Sequence, residues 1–252
     1  MLVSVITVCF NAENEIGKTI ASVLELDADF FEYLIIDGAS TDRTMEIVDS
    51  FRPAFEAKGI PMIVASEKDT GIYNAMNKGA RLASGEWLIY MNAGDRFHSA
   101  STLAKLRGPL MDSSAPFVYG GTVYVNGEKI RIAPPRPMDV ISRWMPFCHQ
   151  SIFIRATLMR QRPYDERYRI CADYDFFVWA YKHGYAFQPV HEFVSLFQFG
   201  GISTIRSLEC RFEKARIQRA YGIITLKRYL KLIILLGLER TNRLFLTEAE
   251  KR

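Results

Sequence analysis

The sequence predicts an α/β fold with an open, mostly parallel sheet flanked by helices. Through the first part of the chain, short apolar runs alternate with segments whose apolar residues recur at helical spacing. The short runs are rich in β-branched residues, which is typical of strands buried on both faces of a parallel sheet. The chain has 252 residues, 49% of them hydrophobic. It can therefore bury a sizeable core, and this composition excludes a disordered or disulfide-stapled chain.

The elements of the first part follow one another as strand, helix, strand. The predicted helices carry apolar residues on one face, as Ile16, Ile20 and Leu24 do within residues 13–24. Such repetition with short loops implies right-handed crossovers between parallel neighbours. In chain order we predict strand Leu2–Val8, helix 13–24, strand Tyr33–Ile36, helix Asp42–Phe51, strand Met62–Ala65, helix Ile72–Leu82 and strand Trp87–Met91.

The second part of the chain predicts a small antiparallel region and a helical end. Phe117–Val125 and Lys129–Ile132 flank Asn126-Gly127, a strong signal for a β-hairpin. The chain has no internal repeat and no low-complexity linker, so we predict one domain over residues 1–205 with a helical extension over residues 206–252. The remaining predicted elements are a strand around Ser151–Ile154, a helix at Tyr174–Tyr181, a strand-like segment at 185–199 and helix from Ser207 to near the end.

Charge is unevenly placed along the chain. The net charge is +4, but residues 201–252 hold 12 Lys and Arg against 5 Asp and Glu, so we expect an anionic partner at this end. In residues 211–238 the cations interleave with Leu and Ile, which predicts a basic amphipathic helix on an anionic membrane surface. Helices that read DNA grooves expose polar side chains instead, so no nucleic-acid partner is expected. A second copy of the chain, or the body of the domain, is the alternative partner for the same apolar face.

The cysteines and the N-terminus bear on the cellular compartment. The four cysteines are scattered, without a CxxC or a Cys/His cluster of zinc spacing, which is typical of the reduced cytosol. The N-terminal MLVSVITVCFN lacks the basic n-region and cleavage site of a signal peptide, and no apolar run reaches the ~20 residues that span a bilayer. We therefore expect a cytoplasmic protein that lies peripherally at the inner face of the cell membrane.

The segments that follow the predicted strands are rich in carboxylates. Ligands of open α/β sheets bind beyond the carboxyl ends of the strands, where this chain places Glu13, Asp37, Asp69 and Asp95. Converging carboxylates repel one another unless they hold a cation or bind sugar hydroxyls. Neither G-x-G-x-x-G nor a P-loop motif occurs, which argues against a dinucleotide dehydrogenase and a P-loop kinase.

Each of these residues also has a purely structural interpretation. Asp42 is suited to cap a helix, and Asp37 before Gly38 is suited to close a turn. Asp95 could pair with Arg96 in a surface turn, and His149 could be a hydrogen-bonded structural histidine. The functional hypothesis gains weight because the acidic residues fall together at equivalent strand ends.

Six segments, in order, resemble family 2 glycosyltransferases with the GT-A fold. Four of them, VSVITVCFN, IIDGASTDRT, EKDTGIYNAMNKGA and GEWLIYMNAGD, are similar to the nucleotide-sugar half of that family. The other two, RPYDERYRICADYDF and FQFGGIST, look like its acceptor half. The resemblance covers most of the chain and extends to bacterial enzymes that build exopolysaccharide or O-antigen repeat units on a lipid carrier. It implies a nucleotide-sugar half over residues 1–98 and an acceptor half over residues 99–205.

The resemblance also implies roles for individual residues of the donor site. Asp37, with Ser40 and Asp42 beside it, matches the aspartate that accepts a hydrogen bond from the nucleotide base. The first loop matches residues that line the nucleotide pocket, and the third segment matches residues near the ribose and sugar. These two sets are Thr7, Cys9, Asn11 and Glu15 for the pocket, and Asp69, Asn74 and Asn77 for the ribose and sugar.

The residues matched to the metal and to the chemical step depart from the family pattern. Asp95 matches the last aspartate of the motif that binds Mg²⁺ or Mn²⁺, but Asn92 stands where the family has an acidic residue. One carboxylate remains, and Asn92 can add only a carbonyl oxygen. Asp173 matches the catalytic base, although Ala172 replaces the usual preceding Glu. His149 and Gln150 look like the His-Gln pair found before the acceptor-side strand, which implies that both line the cleft between donor and acceptor; a buried structural role is the equal alternative.

The function implied by the resemblance is sugar transfer with inversion. The donor is a nucleotide-diphospho-sugar, and the acceptor is a hydroxyl of a saccharide, expected to be polyprenyl-linked. Two alternatives stay open at this point. One is a catalytically inactive sugar-nucleotide-binding or membrane-surface scaffold protein, which the reduced metal motif allows. The other is a sugar-1-phosphate nucleotidyltransferase, which is disfavoured because Asn11-Ala12-Glu13 lacks the glycine-rich, basic loop of those enzymes.

Overall fold

The sheet of the protein contains nine strands in the part of the chain that the structure describes. The structure is a computed structural model that describes residues 1–198 and 207–249, and the side chains up to residue 239. The strands are β1 (Val3–Cys9), β2 (Phe31–Asp37), β3 (Met62–Ser66), β4 (Trp87–Tyr90), β5 (Arg96–Phe97), β6 (Phe117–Asn126), β7 (Lys129–Ala133), β8 (Ile152–Arg155) and β9 (Phe187–Gln198).

Helices cover both faces of this sheet, and two further helices follow the last strand in the C-terminal part of the chain. Two short 3₁₀ helices, Met138–Ser142 and His149–Ser151, lie between β7 and β8. The α-helices are α1 (Ile16–Leu24), α2 (Thr44–Ser50), α3 (Arg52–Ala57), α4 (Ile72–Leu82), α5 (Thr102–Asp112), α6 (Ala156–Gln161), α7 (Ala172–Lys182), α8 (Ser207–Ala220) and α9 (Leu226–Ala249).

The strand order confirms the predicted α/β fold. It runs β3-β2-β1-β4-β8-β6-β9-β5, with β7 paired to β6. The strands β3, β2, β1 and β4 are parallel to one another, as the crossovers require. Beyond β4 the sheet is mixed, because β8 is antiparallel to β4 and β6 whereas β9 is parallel to β6. The hairpin at Asn126-Gly127 is confirmed as the turn between β6 and β7.

Two hydrophobic cores lie on the two faces of the sheet. All residues of β1 are buried, and they alternate between the faces, with Ile6 and Val8 in one core and Val3 and Val5 in the other. The first core also contains side chains of α4 and α7, and the second contains side chains of α1 and α5. This burial on both sides explains why the strand sequences are continuously apolar.

Several elements differ from the sequence-based expectations. The predicted helix Asp42–Phe51 begins later, at Thr44, and a second helix, α3, follows it after Phe51 with a proline in its first turn. Proline there stops the preceding helix and starts the next. The helices α5 and α6, the two-residue strand β5 and the two 3₁₀ helices were not predicted. The strand β5 forms because β9 pairs with it, with Arg96 opposite Leu196 and Phe97 opposite Ser195.

The C-terminal segment is helical, as predicted. Ile217 of α8 is fully buried and joins the first core, and the Glu213 carboxylate accepts hydrogen bonds from the backbone N–H groups of Ile170 and Cys171, both at 2.9 Å. The boundary predicted between residues 205 and 206 lies outside the described residues. Among the described helices, none has both the length and the apolarity needed to cross a membrane.

Candidate active site at the carboxyl edge of the sheet

The loops after the first four parallel strands meet around one cavity of about 950 Å³. Two segments of the second half complete it, through Gln150 and through Phe197 and Gln198 at the end of β9. The cavity thus lies where the strand-end rule places ligands of open α/β sheets. The predicted site residues that line it are Cys9, Glu15, Asp69, Asn92 and Asp95.

The loop that carries Asp95 is anchored to helix α1. The Thr19 hydroxyl donates to the backbone oxygen of Asp95 at 2.8 Å and accepts from the backbone N–H of Gly94 at 2.9 Å. Gly94 has a φ of 101°, a conformation that strongly favours glycine. Asp95 is only 5% exposed, so this tight turn sets the carboxylate into the wall of the cavity.

Two hydrogen bonds hold the Asp95 carboxylate. Gln150 Nε2 donates to Oδ2 at 2.7 Å, and the backbone N–H of Gln198 donates to Oδ1 at 3.3 Å. Burial raises the pKa of Asp95 to about 7, although both hydrogen bonds act in the opposite direction. Near neutral pH, Asp95 is therefore poised between its neutral and its charged form, and a nearby cation would favour the charged form.

Asn92 and Asp95 together provide hard oxygen atoms in this wall. The buried Oδ1 atom of Asn92 has no hydrogen-bond partner, and both residues line the cavity. No group of three or more His, Cys, Asp or Glu side chains that could hold a metal ion occurs in the described parts of the chain. The pair therefore fits Mg²⁺ or Mn²⁺ only if the cation takes most of its ligands from bound phosphates and water, as Mg²⁺ commonly does.

Asp37 lies directly beside the cavity but does not line it. It is fully buried, and its oxygens accept hydrogen bonds from the Ser66 hydroxyl at 2.6 Å and from the hydroxyl and backbone N–H of Ser40. These bonds shape the turn whose Gly38 and Ala39 do line the cavity. The expected contact of Asp37 with a nucleotide base stays a prediction.

The remaining predicted residues of the first loop connect neighbouring strand ends. The Asn11 side-chain oxygen accepts from the backbone N–H of Thr41 at 2.9 Å, and the Thr7 hydroxyl donates to the Met91 carbonyl at 2.7 Å. Burial, with Asp37 nearby, raises the pKa of the Cys9 thiol, so this cysteine stays protonated. Thr7 and Asn11 thus hold the loops that form the cavity.

Asp42 lies just before Arg43, the N-cap residue of α2, so its structural interpretation as the helix cap is wrong. Its carboxylate accepts hydrogen bonds from the backbone N–H groups of Glu13 at 3.1 Å and of Thr44 at 3.0 Å. Glu13 belongs to the loop after β1, so the same carboxylate joins two strand-end loops. Asp42 is therefore part of the frame around the cavity.

Asp69 forms an ion pair that the sequence did not indicate. Lys78 Nζ of α4 lies 2.6 Å from Asp69 Oδ1, and both side chains are largely buried. Burial lowers the pKa of Lys78, but the hydrogen bonds to Asp69 and Glu67 outweigh it and the pKa is raised. The ammonium group stays charged next to the cavity, where Lys68 is also a lining residue. The rotation of helix α4 about its axis places Lys78 next to Asp69. No sequence motif indicates this contact.

Asn74 and Asn77 of α4 bind the loop that precedes α7. The Asn74 side-chain amide donates to Glu166 Oε2 at 3.0 Å, and that of Asn77 donates to Glu166 Oε1 at 3.0 Å. Asn77 also exchanges hydrogen bonds with the backbone of Tyr164. Their predicted contacts with ribose and sugar remain untested, and Glu166 is a residue that sequence reasoning missed.

Asp173 lies in the first turn of α7, next to a buried aromatic cluster. The Tyr73 hydroxyl is 2.9 Å from Asp173 Oδ1, and the backbone N–H of Tyr174 donates to the same oxygen at 2.8 Å. Each hydrogen bond that the structure describes for Asp173 involves Oδ1. The carboxylate is thus oriented by one oxygen while the other has no described partner.

His149 and Gln150 face different surroundings. His149 is buried, stacks on Tyr90 with ring centroids 5.2 Å apart, and hydrogen-bonds the Tyr164 hydroxyl at 2.7 Å. Burial lowers the pKa of His149, although the charge of Asp173 acts in the opposite direction. His149 therefore resembles a structural histidine, whereas Gln150 reaches the cavity and bonds Asp95.

The family assignment comes from comparison with known sequences. The profile described as "Glycosyl transferase family 2" matches residues 4–184. The chain belongs to glycosyltransferase family 2. A glycosyltransferase of PGL/p-HBAD biosynthesis from Mycobacterium tuberculosis is 30% identical over 203 residues, covering 79% of this chain and 78% of the relative. The amylovoran biosynthesis glycosyltransferase AmsB of Erwinia amylovora is 25% identical over 219 residues, covering 78% and 71% of the two chains.

Solved structures of glycosyltransferases share the fold. Residues 1–349 of Staphylococcus aureus TarS, in complex with UDP-GlcNAc, match with a TM-score of 0.71 and 18% identity, covering 92% of this chain and 70% of that TarS fragment. The mannosyltransferase PcManGT of Pyrobaculum calidifontis, in complex with GDP-Man and Mn²⁺, matches with a TM-score of 0.66 and 17% identity, covering 94% and 70%. The predicted GT-A fold and the family 2 resemblance are confirmed.

Proposed function

We propose that this family 2 glycosyltransferase moves a sugar from a nucleotide-diphospho-sugar to a hydroxyl of a lipid-linked saccharide, with inversion at the anomeric carbon. The observation that supports this most is the carboxyl-edge cavity, in which Asp95 and the unpartnered Asn92 oxygen lie among the strand-end loops. TarS and PcManGT, which share the fold, bind UDP-GlcNAc and GDP-Man. A nucleotide-sugar donor therefore agrees with both the cavity and the fold.

The donor's diphosphate would lie near the cationic and metal-binding side of the cavity. Asn92 and Asp95 would hold Mg²⁺ or Mn²⁺, and Lys68, which lines the same cavity, adds positive charge close by. When bound, the cation neutralises charge on the departing nucleoside diphosphate. The base and ribose would then lie toward the loops after β1 and β2, between Phe10 and Gly38.

Asp173 would act as the general base. The acceptor hydroxyl donates its proton to the free Oδ2 atom while its oxygen forms a bond to the anomeric carbon. The bond from that carbon to the β-phosphate oxygen breaks, and its electron pair leaves with the nucleoside diphosphate. One displacement inverts the anomeric centre and needs no covalent nucleophile. Tyr73 holds Oδ1 and thereby orients the carboxylate.

The C-terminal helix α9 would bring the enzyme to a lipid-linked acceptor. Four aliphatic side chains at four-residue spacing form an exposed stripe on α9, and the basic residues Lys227 and Lys231 lie beside them. An aliphatic face next to cations suits a helix in the headgroup region of an anionic membrane, here the inner face of the cell membrane. The members of this aliphatic stripe are Leu226, Leu230, Ile234 and Leu238, each more than half exposed.

A panel of UDP- and GDP-sugars with and without Mn²⁺ tests the proposed function. A saturating donor should raise the melting temperature by about 5–10 °C, which corresponds to a ligand at about a hundred times its Kd. Asp95→Asn keeps the side-chain volume but loses the charge, so the Mn²⁺-dependent part of this shift should disappear.

The same panel separates the alternative functions. Sugar transfer to an acceptor, with release of the nucleoside diphosphate, would support the enzyme. Donor binding without turnover under any condition would instead support an inactive sugar-nucleotide-binding protein. Release of diphosphate from a nucleoside triphosphate and a sugar-1-phosphate would indicate a nucleotidyltransferase.

A further inference from the structure

Two of the four cysteines are in direct contact although they lie on different helices. Cys171 is the residue before α7, and Cys210 is in the first turn of α8. Their Sγ atoms are 3.1 Å apart, and Cys171 Sγ also lies 3.4 Å from the backbone oxygen of Cys210. Both are free thiols, and we call these two residues the thiol pair. The fold of the domain thus brings together two thiols that are 39 residues apart in the sequence.

The surroundings of the thiol pair suit disulfide chemistry better than metal binding. No group of three or more His, Cys, Asp or Glu side chains suited to a metal ion includes them in the parts of the chain that the structure covers, whereas a structural zinc ion takes four ligands. The other two cysteines lie against oxygen atoms instead. Cys9 Sγ is 3.7 Å from Asp37 Oδ1, and Cys148 Sγ is 2.9 Å from Gln150 Oε1.

The two members of the thiol pair differ in exposure and in acidity. Cys171 is buried, whereas Cys210 is partly exposed. The hydrogen bond from Cys171 lowers the pKa of Cys210. Lys214, one turn along α8, lowers this pKa as well, although burial and the charge of Asp173 act in the opposite direction. The same hydrogen bond, together with burial, raises the pKa of Cys171. Because the thiolate is the reactive form, Cys210 is the thiol that an oxidant meets first.

We propose that hydrogen peroxide converts the thiol pair into a reversible disulfide that slows sugar transfer. The Cys210 thiolate attacks one peroxide oxygen, the O–O bond breaks, and Cys210 becomes a sulfenic acid. The other oxygen leaves as hydroxide and takes up the proton that Cys210 had released. The sulfur of Cys171 then attacks that of Cys210, the S–O bond breaks, and the leaving hydroxide takes the Cys171 proton. Two thiols lose two electrons in total, and one peroxide is reduced to two molecules of water. A dithiol reductant reopens the bond by exchange.

The disulfide would act on the turn that carries Asp173, so this effect rests on the proposed role of Asp173 as the base. Bond formation draws the sulfur atoms together from 3.1 Å. Helix α8 is fixed to the body through the buried Ile217 and the hydrogen bonds of Glu213, so part of the movement falls on Cys171, two residues before Asp173. A displacement of about 1 Å at the chemistry can cost about 100-fold in rate, and we expect a loss of at least about tenfold.

Peptide mapping and turnover after oxidation test the two parts of this proposal. The reduced protein is treated with hydrogen peroxide, quenched with catalase and digested without reductant, and mass spectrometry should identify a peptide that links Cys171 to Cys210. Release of nucleoside diphosphate is measured with the donor from the thermal-shift panel and a polyprenyl-diphosphate-linked monosaccharide. It should fall at least about tenfold and recover with dithiothreitol. The melting-temperature shift with the donor should persist, because neither cysteine lines the donor cavity at the sheet edge.

Three serine variants separate the thiol pair from other oxidisable residues. Cys210→Ser removes the thiol that reacts first, so its turnover should resist peroxide. Cys171→Ser leaves the Cys210 sulfenic acid without a second thiol, and dimedone should label Cys210 in this variant but much less in the wild type. Cys148→Ser is the matched control, because it removes a cysteine outside the thiol pair, and its turnover relative to its own reduced form should fall as in the wild type.

Each contrary outcome removes a defined part of the proposal. If the peroxide-treated wild type gives no linked peptide, the thiol pair is not a disulfide site. If a fully linked protein keeps its turnover, the disulfide does not act on the turn that carries Asp173. Equal loss of turnover in Cys210→Ser and the wild type would assign the effect of peroxide to another residue. Absence of sugar transfer by the reduced wild type would contradict the proposed function, and the peptide map would still decide whether the disulfide forms.

Discussion

The two carboxylates that matter most for the proposed chemistry have contrasting environments. Asp95 is buried, has a pKa raised to about 7 by burial, and is held at both oxygens. Asp173 is partly exposed and is held at Oδ1 by Tyr73 and by the backbone of Tyr174. A cation is the partner that a buried carboxylate needs, whereas a base needs a reachable lone pair. This contrast supports different roles for the two residues.

Asp173→Asn should lower turnover at least about 100-fold, the usual contribution of a general base. The amide preserves volume and can still bond Tyr73, but it cannot accept a proton from the acceptor. Donor binding, measured by thermal shift, should change little because Asp173 does not line the donor cavity. A variant with wild-type turnover would exclude Asp173 as the base.

Asp175→Asn is the matched comparison two residues along α7. Asp175 is buried and forms an ion pair with Arg162 at 2.7 Å. Its loss leaves the Arg162 guanidinium without its charged partner, so stability should fall by about 3 kcal/mol. Turnover of the molecules that remain folded should be close to wild type. A 100-fold lower turnover with unchanged stability would instead move the base to this position.

The sequence predicted the carboxylates at the edge of the sheet better than it predicted the residues that contact them. The strand-end rule brought Asp69 and Asp95 to one cavity because parallel strands all end at the same side of the sheet. The family resemblance brought Gln150 to the cleft, but neither its bond to Asp95 nor the pairing of Lys78 with Asp69 was predicted. Lys78 reaches Asp69 only through the phase of α4, and Gln150 reaches Asp95 from a 3₁₀ helix in the other half of the chain. Neither contact leaves a periodic or spaced signal in the sequence.

At the level of elements, the parallel strands were predictable and the shorter pieces were not. β1 and β2 are buried over their whole length, so their apolar, β-branched runs mark them within one or two residues. The strand β5 has two residues and depends on β9 for its formation. Helix α5 contains Pro109, which opposes helix formation locally, and it is stabilised by burial of its leucines. Tertiary packing determined both elements.

A buried carboxylate joins β1 and β2 to the turn before β4. Glu32 of β2 is 3% exposed and accepts hydrogen bonds from the Ser4 hydroxyl at 2.6 Å and the Ser84 hydroxyl at 2.8 Å. The backbone N–H groups of Ser84 and Gly85 donate to it as well. Burial raises its pKa, but these hydrogen bonds outweigh burial, and the pKa is lowered from its usual 4.5. The charged form is therefore the stabilising one.

Glu32→Gln should lower the free energy of unfolding by about 1.5–3 kcal/mol near neutral pH, because an amide N–H group would face existing donors. The folded-state pKa lies below the unfolded-state value. The stabilisation by Glu32 is therefore present above the unfolded-state pKa and is lost as the pH falls through the folded-state pKa. Urea unfolding of both proteins at a series of pH values should show the gap closing on acidification. A gap independent of pH would contradict the charged hydrogen-bond network.

At Gly79, helix α4 lies so close to β1 that no side chain fits between them. A Cβ atom on Gly79 would lie 2.6 Å from Ile6 Cγ2, a fully buried methyl group, and 3.3 Å from Ile36 Cγ1. Gly79→Ala should thus destabilise the protein by about 1–3 kcal/mol through overpacking. This exceeds the gain of up to about 1 kcal/mol that alanine brings to a helix.

The control for this substitution is Gly237→Ala in α9. A Cβ atom there would meet nothing within 4 Å, so only the helix propensity acts and stability should rise slightly or stay unchanged. Thermal unfolding followed by circular dichroism compares the two variants. Equal effects of the two substitutions would mean that α4 can shift away from β1 without cost.

At the scale of the whole molecule, the two C-terminal helices behave differently. Helix α8 packs on the body, with Ile217 buried and Glu213 bonded to the backbone before α7. Helix α9 buries Leu236 but leaves the aliphatic stripe exposed. Both helices have mixed basic and apolar sequences, so the sequence alone could not separate the one that completes the domain from the one that presents a free face.

Leu230→Asn/Ile234→Asn should lower recovery of the protein with vesicles of phosphatidylglycerol and phosphatidylcholine at least about tenfold, because each aliphatic side chain that enters the bilayer contributes ~1.5–3 kcal/mol when fully buried. Leu82→Asn, which replaces a half-exposed leucine of α4, is the control and should float like the wild type.

Sedimentation velocity without lipid tests the alternative partner of the stripe, a second copy of the chain. A wild-type dimer that the double variant converts to a monomer, together with unchanged flotation, would assign the stripe to a second copy of the chain. A monomeric wild type that loses flotation only in the double variant is the expected result, because the stripe would then be covered by lipid.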